Sequence, residues 1–404
     1  MSRKERPFRA GEQEKGYEMH RRIGSTIIFG FAALFAGAPA IAQDQGAEKP
    51  PIVIARQGNF FVGGAYDTSH PDQPWVGQMY VQYQIPAEIT SPYPIVFVHG
   101  GSQTGQRWWE TPDGREGWAQ FFVRRGYAVY VVDQVARGRS AYPFQFWPEM
   151  SGQSLPFIMR RALGTADGEN WLWPQAHLHT QWPGEKAPGD PIFDHNYMGN
   201  VQSMGDRQPQ REMNIAALNA LFDEIGEGIL VVHSQSGAYG WPVVQQRPML
   251  VKALVALEPS GPPVYDVILQ GPPDYFADDD QMVPYGLAYT PIEYVPAISD
   301  PSELKFEKVE PKSPDFVGCW QQVEPARQLA NMDQTPILVL GGEASFYRPY
   351  NYCTARYLEQ GGLSPDFYDL GDMGIHGNGH SMMLEKNSDE VANLVAEWIE
   401  SNLD

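Results

Sequence analysis

The stretch Gly228-Ile229-Leu230-Val231-Val232-His233-Ser234-Gln235-Ser236-Gly237-Ala238 constrains this chain more than any other. An apolar, largely β-branched run of strand length enters a turn of small and polar residues, and residues 238–246 beyond it can start a helix. A buried strand, a sharp turn holding a serine and a helix make a nucleophile elbow, which exposes the serine at the end of a parallel strand. This reading puts the nucleophile at Ser234. It requires a base, an acid and an oxyanion hole from the rest of the chain. The usual elbow is Gly-x-Ser-x-Gly, whereas Val232 and Ser236 stand where the glycines would be. Centring the turn on Ser236 puts small residues, Ser234 and Ala238, at both flanks. The need for a residue directly after the strand favours Ser234 and leaves Ser236 as the alternative.

The flanking sequence predicts strands that alternate with helices. Segments in 52–85 alternate apolar and polar residues between Gly and Pro, and suggest antiparallel strands at a sheet edge. Strands are expected at 95–98, 127–133, 251–257, 336–340 and 367–370. Helices are expected at 118–125, 210–225 and 389–402, with Ile215, Leu218, Leu221 and Phe222 at helical spacing in the second. This alternation implies an α/β fold with a mostly parallel central sheet and helices on both faces. Two stretches break the pattern: 141–209, rich in Trp, Pro, Gly, His and Gln, and 260–334, rich in Pro, Asp and Tyr. Loops of that length without structure are uncommon in a compact domain, so both are read as insertions forming a lid.

Composition narrows the classes. The 404 residues, 42% of them apolar, suffice for one large α/β domain. A formal charge of -20 with no polybasic run in the body argues against nucleic acid as a partner. Near the N-terminus, His20-Arg21-Arg22 precedes an apolar run from Ile27 to Ala36, and Ala40-Ile41-Ala42 follows. These are the three parts of a secretory signal peptide, expected at 1–42, with 1–18 readable as an over-called start. The remaining 43–404 would be periplasmic or secreted, with no stable membrane insertion. In an exported protein the even pair Cys319 and Cys353 suggests a disulfide.

A serine hydroxyl becomes a nucleophile when an imidazole takes its proton, a carboxylate orients that imidazole, and donors await the oxyanion. Candidates occur in the order Ser, acid, His. Glu258 ends the strand after the elbow, and Asp369 and Asp372 are fallback acids. The base is expected at His380, with His376 second, in the glycine-rich loop Gly374-Ile375-His376-Gly377-Asn378-Gly379-His380. The backbone amides of Gly101, after His99-Gly100, and of Gln235, after the nucleophile, are the expected oxyanion donors. His177-Leu178-His179 has the spacing of a metal pair but no accompanying ligand cluster, so no metal is expected. His70 and His195 are read as surface or lid residues.

Taken together, the chain resembles the α/β-hydrolase superfamily, and within it exported bacterial serine esterases with a His-Ser-Gln-Ser-Gly elbow and a glutamate acid. The matching residues are His99-Gly100, Thr111-Pro112-Asp113-Gly114-Arg115 with Gly117-Trp118, Asp133-Gln134 with Arg137-Gly138-Arg139-Ser140, His233 to Gly237, Glu258-Pro259-Ser260-Gly261, and Gly377-Asn378-Gly379-His380 with Met382 to Asn387. The resemblance implies Ser234 as nucleophile, Glu258 as acid, His380 as base, an oxyanion hole from Gly101 and Gln235, a small-molecule ester as substrate, and no cofactor. The same triad also serves amidases, lactonases and perhydrolases, and a non-catalytic binding protein on this fold is the reading from another class.

Overall fold

The computed structural model describes residues 49–141, 149–168 and 170–403. The expected signal peptide and the aromatic residues Phe144, Phe146 and Trp147 of the first insertion lie outside the described residues. Eight strands form the central sheet: β1 (Ile54–Val62), β2 (Met79–Pro86), β3 (Ile95–Val98), β4 (Val129–Asp133), β5 (Gly228–His233), β6 (Val251–Leu257), β7 (Ile337–Gly341) and β8 (Asp366–Asp369). Their spatial order is β1-β2-β4-β3-β5-β6-β7-β8. The β1–β2 and β2–β4 pairs are antiparallel, and the remaining pairs are parallel. The alternating segments before residue 86 are therefore the antiparallel edge, and the continuous apolar runs are the buried parallel strands.

The helices that matter here are α1 (Trp118–Arg124), α2 (Pro191–Met198), α3 (Arg207–Ile225), α4 (Gly237–Gln246), α5 (Arg348–Gln360) and α6 (Ser388–Leu403). Successive side chains of a strand point to opposite faces. Leu230, Val232, Leu254, Ala256 and Val339 thus pack with α3, α4 and part of α5. Ile229, Val231, Val255, Leu257, Leu338 and Leu340 pack with α1 and α6 on the other face. Each buried Val, Leu or Ile among them contributes about 1.5–3 kcal/mol, and both faces are covered, every residue of β5 being buried. Helix α5 was not foreseen from the sequence. It begins with Pro349 at its first turn and carries Cys353, which pairs with Cys319 across a Cα–Cα distance of 5.2 Å.

The two stretches that broke the alternation add no strand to the large sheet. They form two-stranded ribbons, Met150–Ser151 with Ser203–Met204, Tyr265–Leu269 with Phe276–Met282, and others, together with α2 and a π-helical turn at Ile158–Ala162. Among the described residues no helix is long and apolar enough to cross a membrane.

Candidate active site

Because β3, β5, β6, β7 and β8 are parallel, the loops after them gather at one end of the sheet. Pairing of Leu257 with His233 sets Glu258 and Ser234 side by side, each the first residue after its strand. Both sit in the left-handed region, Ser234 at φ +54° and Glu258 at φ +46°. Residues with a Cβ rarely stay there, and each such residue costs about 1–3 kcal/mol unless its surroundings fix it. The surroundings do so here. Ser260 N–H donates to Ser234 O at 2.8 Å, and Glu258 N–H to Leu340 O at 2.9 Å.

The two serines of the turn have different situations. Ser236 is fully buried, and its Oγ accepts from His233 N–H at 2.8 Å and faces the carbonyls of Val98 and His233 at 3.0 and 2.9 Å. It staples the turn to β3. Ser234 is half-buried and faces a cavity of about 260 Å³ that His380 also lines.

His380 Nδ1 lies 2.5 Å from Glu258 Oε2. The same carboxylate accepts from Gly342 N–H at 2.7 Å and from Ser345 Oγ at 2.6 Å, so its oxygens are fixed by donors from two loops, the one after β7 and the one that carries His380. Burial pushes the Glu258 carboxyl up, opposed by the Ser345 hydroxyl and Gly342 N–H, which donate to its charged form. Burial pushes the His380 imidazole down to about 3, with the Arg161 and Arg107 guanidiniums adding to the effect. His380 is therefore held neutral and able to accept a proton. His233 reaches across from the elbow, its Nε2 2.9 Å from His380 O, and so fixes the backbone at His380.

The oxyanion candidates also meet. A Cβ added to Gly101 would lie 3.7 Å from Gln235 Oε1 and 3.9 Å from Gln235 Cβ. Arg137, buried and absent from the expected site residues, bridges the two segments: Nη1 donates to Gly100 O at 3.0 Å and Nη2 to Gln235 Oε1 at 2.7 Å. His99 Nε2 accepts from Gln134 N–H at 3.0 Å, which leaves its Nδ1 as donor to Gly100 O at 2.9 Å. Gly100 has no room for a side chain, since a Cβ there would lie 2.9 Å from His233 Nδ1 and 3.0 Å from Ser234 Cβ.

The alternatives lie elsewhere. Asp369 accepts from Arg348 Nε and Gly371 N–H, both at 3.0 Å, and Asp372 is 3.6 Å from the same arginine. His376 is exposed, 3.1 Å from Glu343. His179 is buried between Leu163 O and Glu385, and among the described residues no cluster could hold a metal ion. Tyr347 was missed. Its ring stacks on His380 at 4.9 Å with a 5° interplanar angle, and it lines the same cavity as Ser234 and Ser260. A tyrosine in a loop gives no sequence signal, because its position depends on how the loop after β7 folds over the site.

No protein-family model matches the chain. A curated relative, "Probable secreted lipase phiG" from Fungal sp. (strain ATCC 74256), is 44% identical over 380 residues, covering 94% of this chain and 96% of the relative. A solved structure, "The Atomic Resolution Structure of a Novel Bacterial Esterase", superposes with a TM-score of 0.59 at 23% identity, covering 88% of this chain and 99% of the other, and speaks for the fold. The sheet order, the helices on both faces and the near full-length likeness to the lipase relative place this chain in the α/β-hydrolase family.

Proposed function

We propose that this chain is a secreted serine hydrolase that cleaves carboxylic esters through an acyl-enzyme. The carrying observation is the buried His380–Glu258 contact at 2.5 Å beside a serine held in the left-handed region on the same cavity. Ser234 Oγ attacks the ester carbonyl as His380 Nε2 takes its proton, and Glu258 holds Nδ1–H and balances the imidazolium. The amides of Gly101 and Gln235 receive the negative oxygen. Collapse expels the alcohol, which takes the proton from His380. Water then enters, gives a proton to His380, attacks the acyl carbonyl and releases the acid with Ser234 restored. The reaction as written uses no metal or organic cofactor. The insertions supply the cavity's cover, since Gln153, Phe157, Trp182 and Asn196 line it together with Ser234. The relative's name and the arginine-preceded apolar run before Ala42 support export.

The test combines two measurements. A fluorophosphonate should label Ser234, found by peptide mapping, and a 4-nitrophenyl ester should release a burst of nitrophenol equal to the enzyme present. Absence of labelling would overturn the reading.

A further inference from the structure

The chain carries a formal charge of -20, yet its candidate catalytic cavity is cationic. Arg107, Arg137, Arg161 and Arg207 line it, against one carboxylate, Asp266. Elsewhere, arginines meet carboxylates: Arg115 with Asp113, Arg124 with Glu116, Arg139 with Asp133 and Arg348 with Asp369. Among the described residues the four cavity arginines form no such pair. Arg107 donates to the side chain and backbone oxygen of Asn196, and Arg137 to Gly100 O and Gln235 Oε1, all neutral acceptors. Burying a guanidinium without a paired counter-ion is unfavourable; the charge of Asp266 acts on Arg161 without forming an ion pair with it, which leaves the guanidinium's donors open to another anion.

Of the three buried or half-buried arginines, Arg161 keeps its donors least committed. Its Nε is buried with no partner. It projects from the π-helical turn Ile158–Ala162, a geometry often found at functional sites. Its guanidinium lies 4.6 Å over the Phe346 ring, whose centre is 4.5 Å from that of His380. Arg161 is thus separated from the base by one aromatic ring, close enough for one small substrate to reach both. Arg107 and Arg137 make the surroundings positive, and the flat, two-pronged guanidinium matches a carboxylate.

We propose that the cavity takes an ester that also carries a carboxylate, and that Arg161 anchors that carboxylate while Ser234 attacks the ester. This inference rests on the ester-hydrolase reading and adds the substrate class. The cavity volume of about 260 Å³ suits a half-ester of a short dicarboxylic acid.

The test compares mono-4-nitrophenyl adipate with its neutral methyl ester on the full chain, each corrected for spontaneous hydrolysis. A charge-assisted contact predicts about tenfold to a hundredfold higher kcat/KM for the free acid. Arg161→Gln should bring the ratio of the two substrates towards one, and Arg161→Lys should restore part of it. On wild-type protein alone, adipate should slow fluorophosphonate labelling of Ser234 while neutral dimethyl adipate should not. Equal kcat/KM for the two esters, with labelling unaffected by adipate, overturns the carboxylate proposal and leaves the ester hydrolase standing. No labelling under any condition removes the ester-hydrolase reading, and this proposal with it.

Discussion

Replacing each serine of the elbow by alanine separates the nucleophile from the staple. In Ser236→Ala, the buried His233 N–H loses its acceptor at 2.8 Å and the turn loses its link to Val98 O at 3.0 Å. A buried donor left without a partner costs about 1–3 kcal/mol. Some is recovered if His233 N–H tilts, but there is little room, since Ser236 has no exposed surface. The variant should therefore unfold at lower urea concentration with unchanged m-value, by an amount equal to about 1–3 kcal/mol. It should still react with fluorophosphonate at Ser234. Ser234→Ala removes no such bond and, keeping a Cβ, leaves the strain of φ +54° in place, so its stability should change little while labelling and turnover disappear. Labelling that survives Ser234→Ala but vanishes in Ser236→Ala would refute the assignment and the geometry behind it.

Three further outcomes are expected. Glu258→Gln should lower kcat by about 10³–10⁴ because the amide no longer holds the required tautomer of His380, whereas Asp369→Asn, which loosens Arg348, should keep most turnover; the reverse result would reassign the acid. Because burial and two guanidiniums hold His380 below its ordinary 6.5, the neutral base persists as pH falls, and the acid limb of kcat/KM should have its midpoint below 6.5; a midpoint above that value would contradict the burial. The Cys319–Cys353 bridge closes a sequence separation of 34, so reduction should lower unfolding free energy by about 2–4 kcal/mol, seen as a lower urea midpoint with reductant present; an unmoved midpoint would deny the bridge a stabilising role.

The parallel core was legible because buried strands read as unbroken apolar runs. The expected strand at 251–257 matches β6 in both its bounds. The closing helix, 389–402 by pattern, extends by one residue at each end. Helix α5 escaped because its first half, Arg-Pro-Tyr-Asn-Tyr-Cys-Thr, is poor in strong helix formers, and its buried stripe of Tyr350, Cys353, Tyr357 and Leu358 is mixed rather than a plain aliphatic repeat. Its first half is held by packing and by the bridge to Cys319. The placement of Ser234, Glu258 and His380 at one end of the sheet was readable since each follows a recognisable strand. Tyr347, Ser345, Arg137 and Arg161 were not readable as site residues, since each acts through a long-range contact that no local spacing encodes.

The degraded elbow motif has a physical resolution. Glycines flank the serine of a usual elbow because the strand and helix approach closely there. In this chain the steric demand falls on other glycines. Val232 fills the space opposite Gly240, where a Cβ would lie 3.4 Å from Val232 Cγ2 and 3.2 Å from Leu254 Cδ1. Ser236 fits because its hydroxyl bonds to β3 instead of clashing with it. The tightest approach is at Gly237, where a Cβ would lie 2.4 Å from Pro259 Cβ and 2.9 Å from Ser260 N, the atom that donates to Ser234 O. Gly237→Ala must therefore push Pro259–Ser260 away from the turn, and with it Glu258, one residue earlier. Overpacking of this kind costs about 1–3 kcal/mol, and here it should also lower kcat, because the displaced segment holds both the serine's carbonyl and the acid. Unchanged kcat and stability in Gly237→Ala would show that the packing of α4 against Pro259 does not hold the elbow in place.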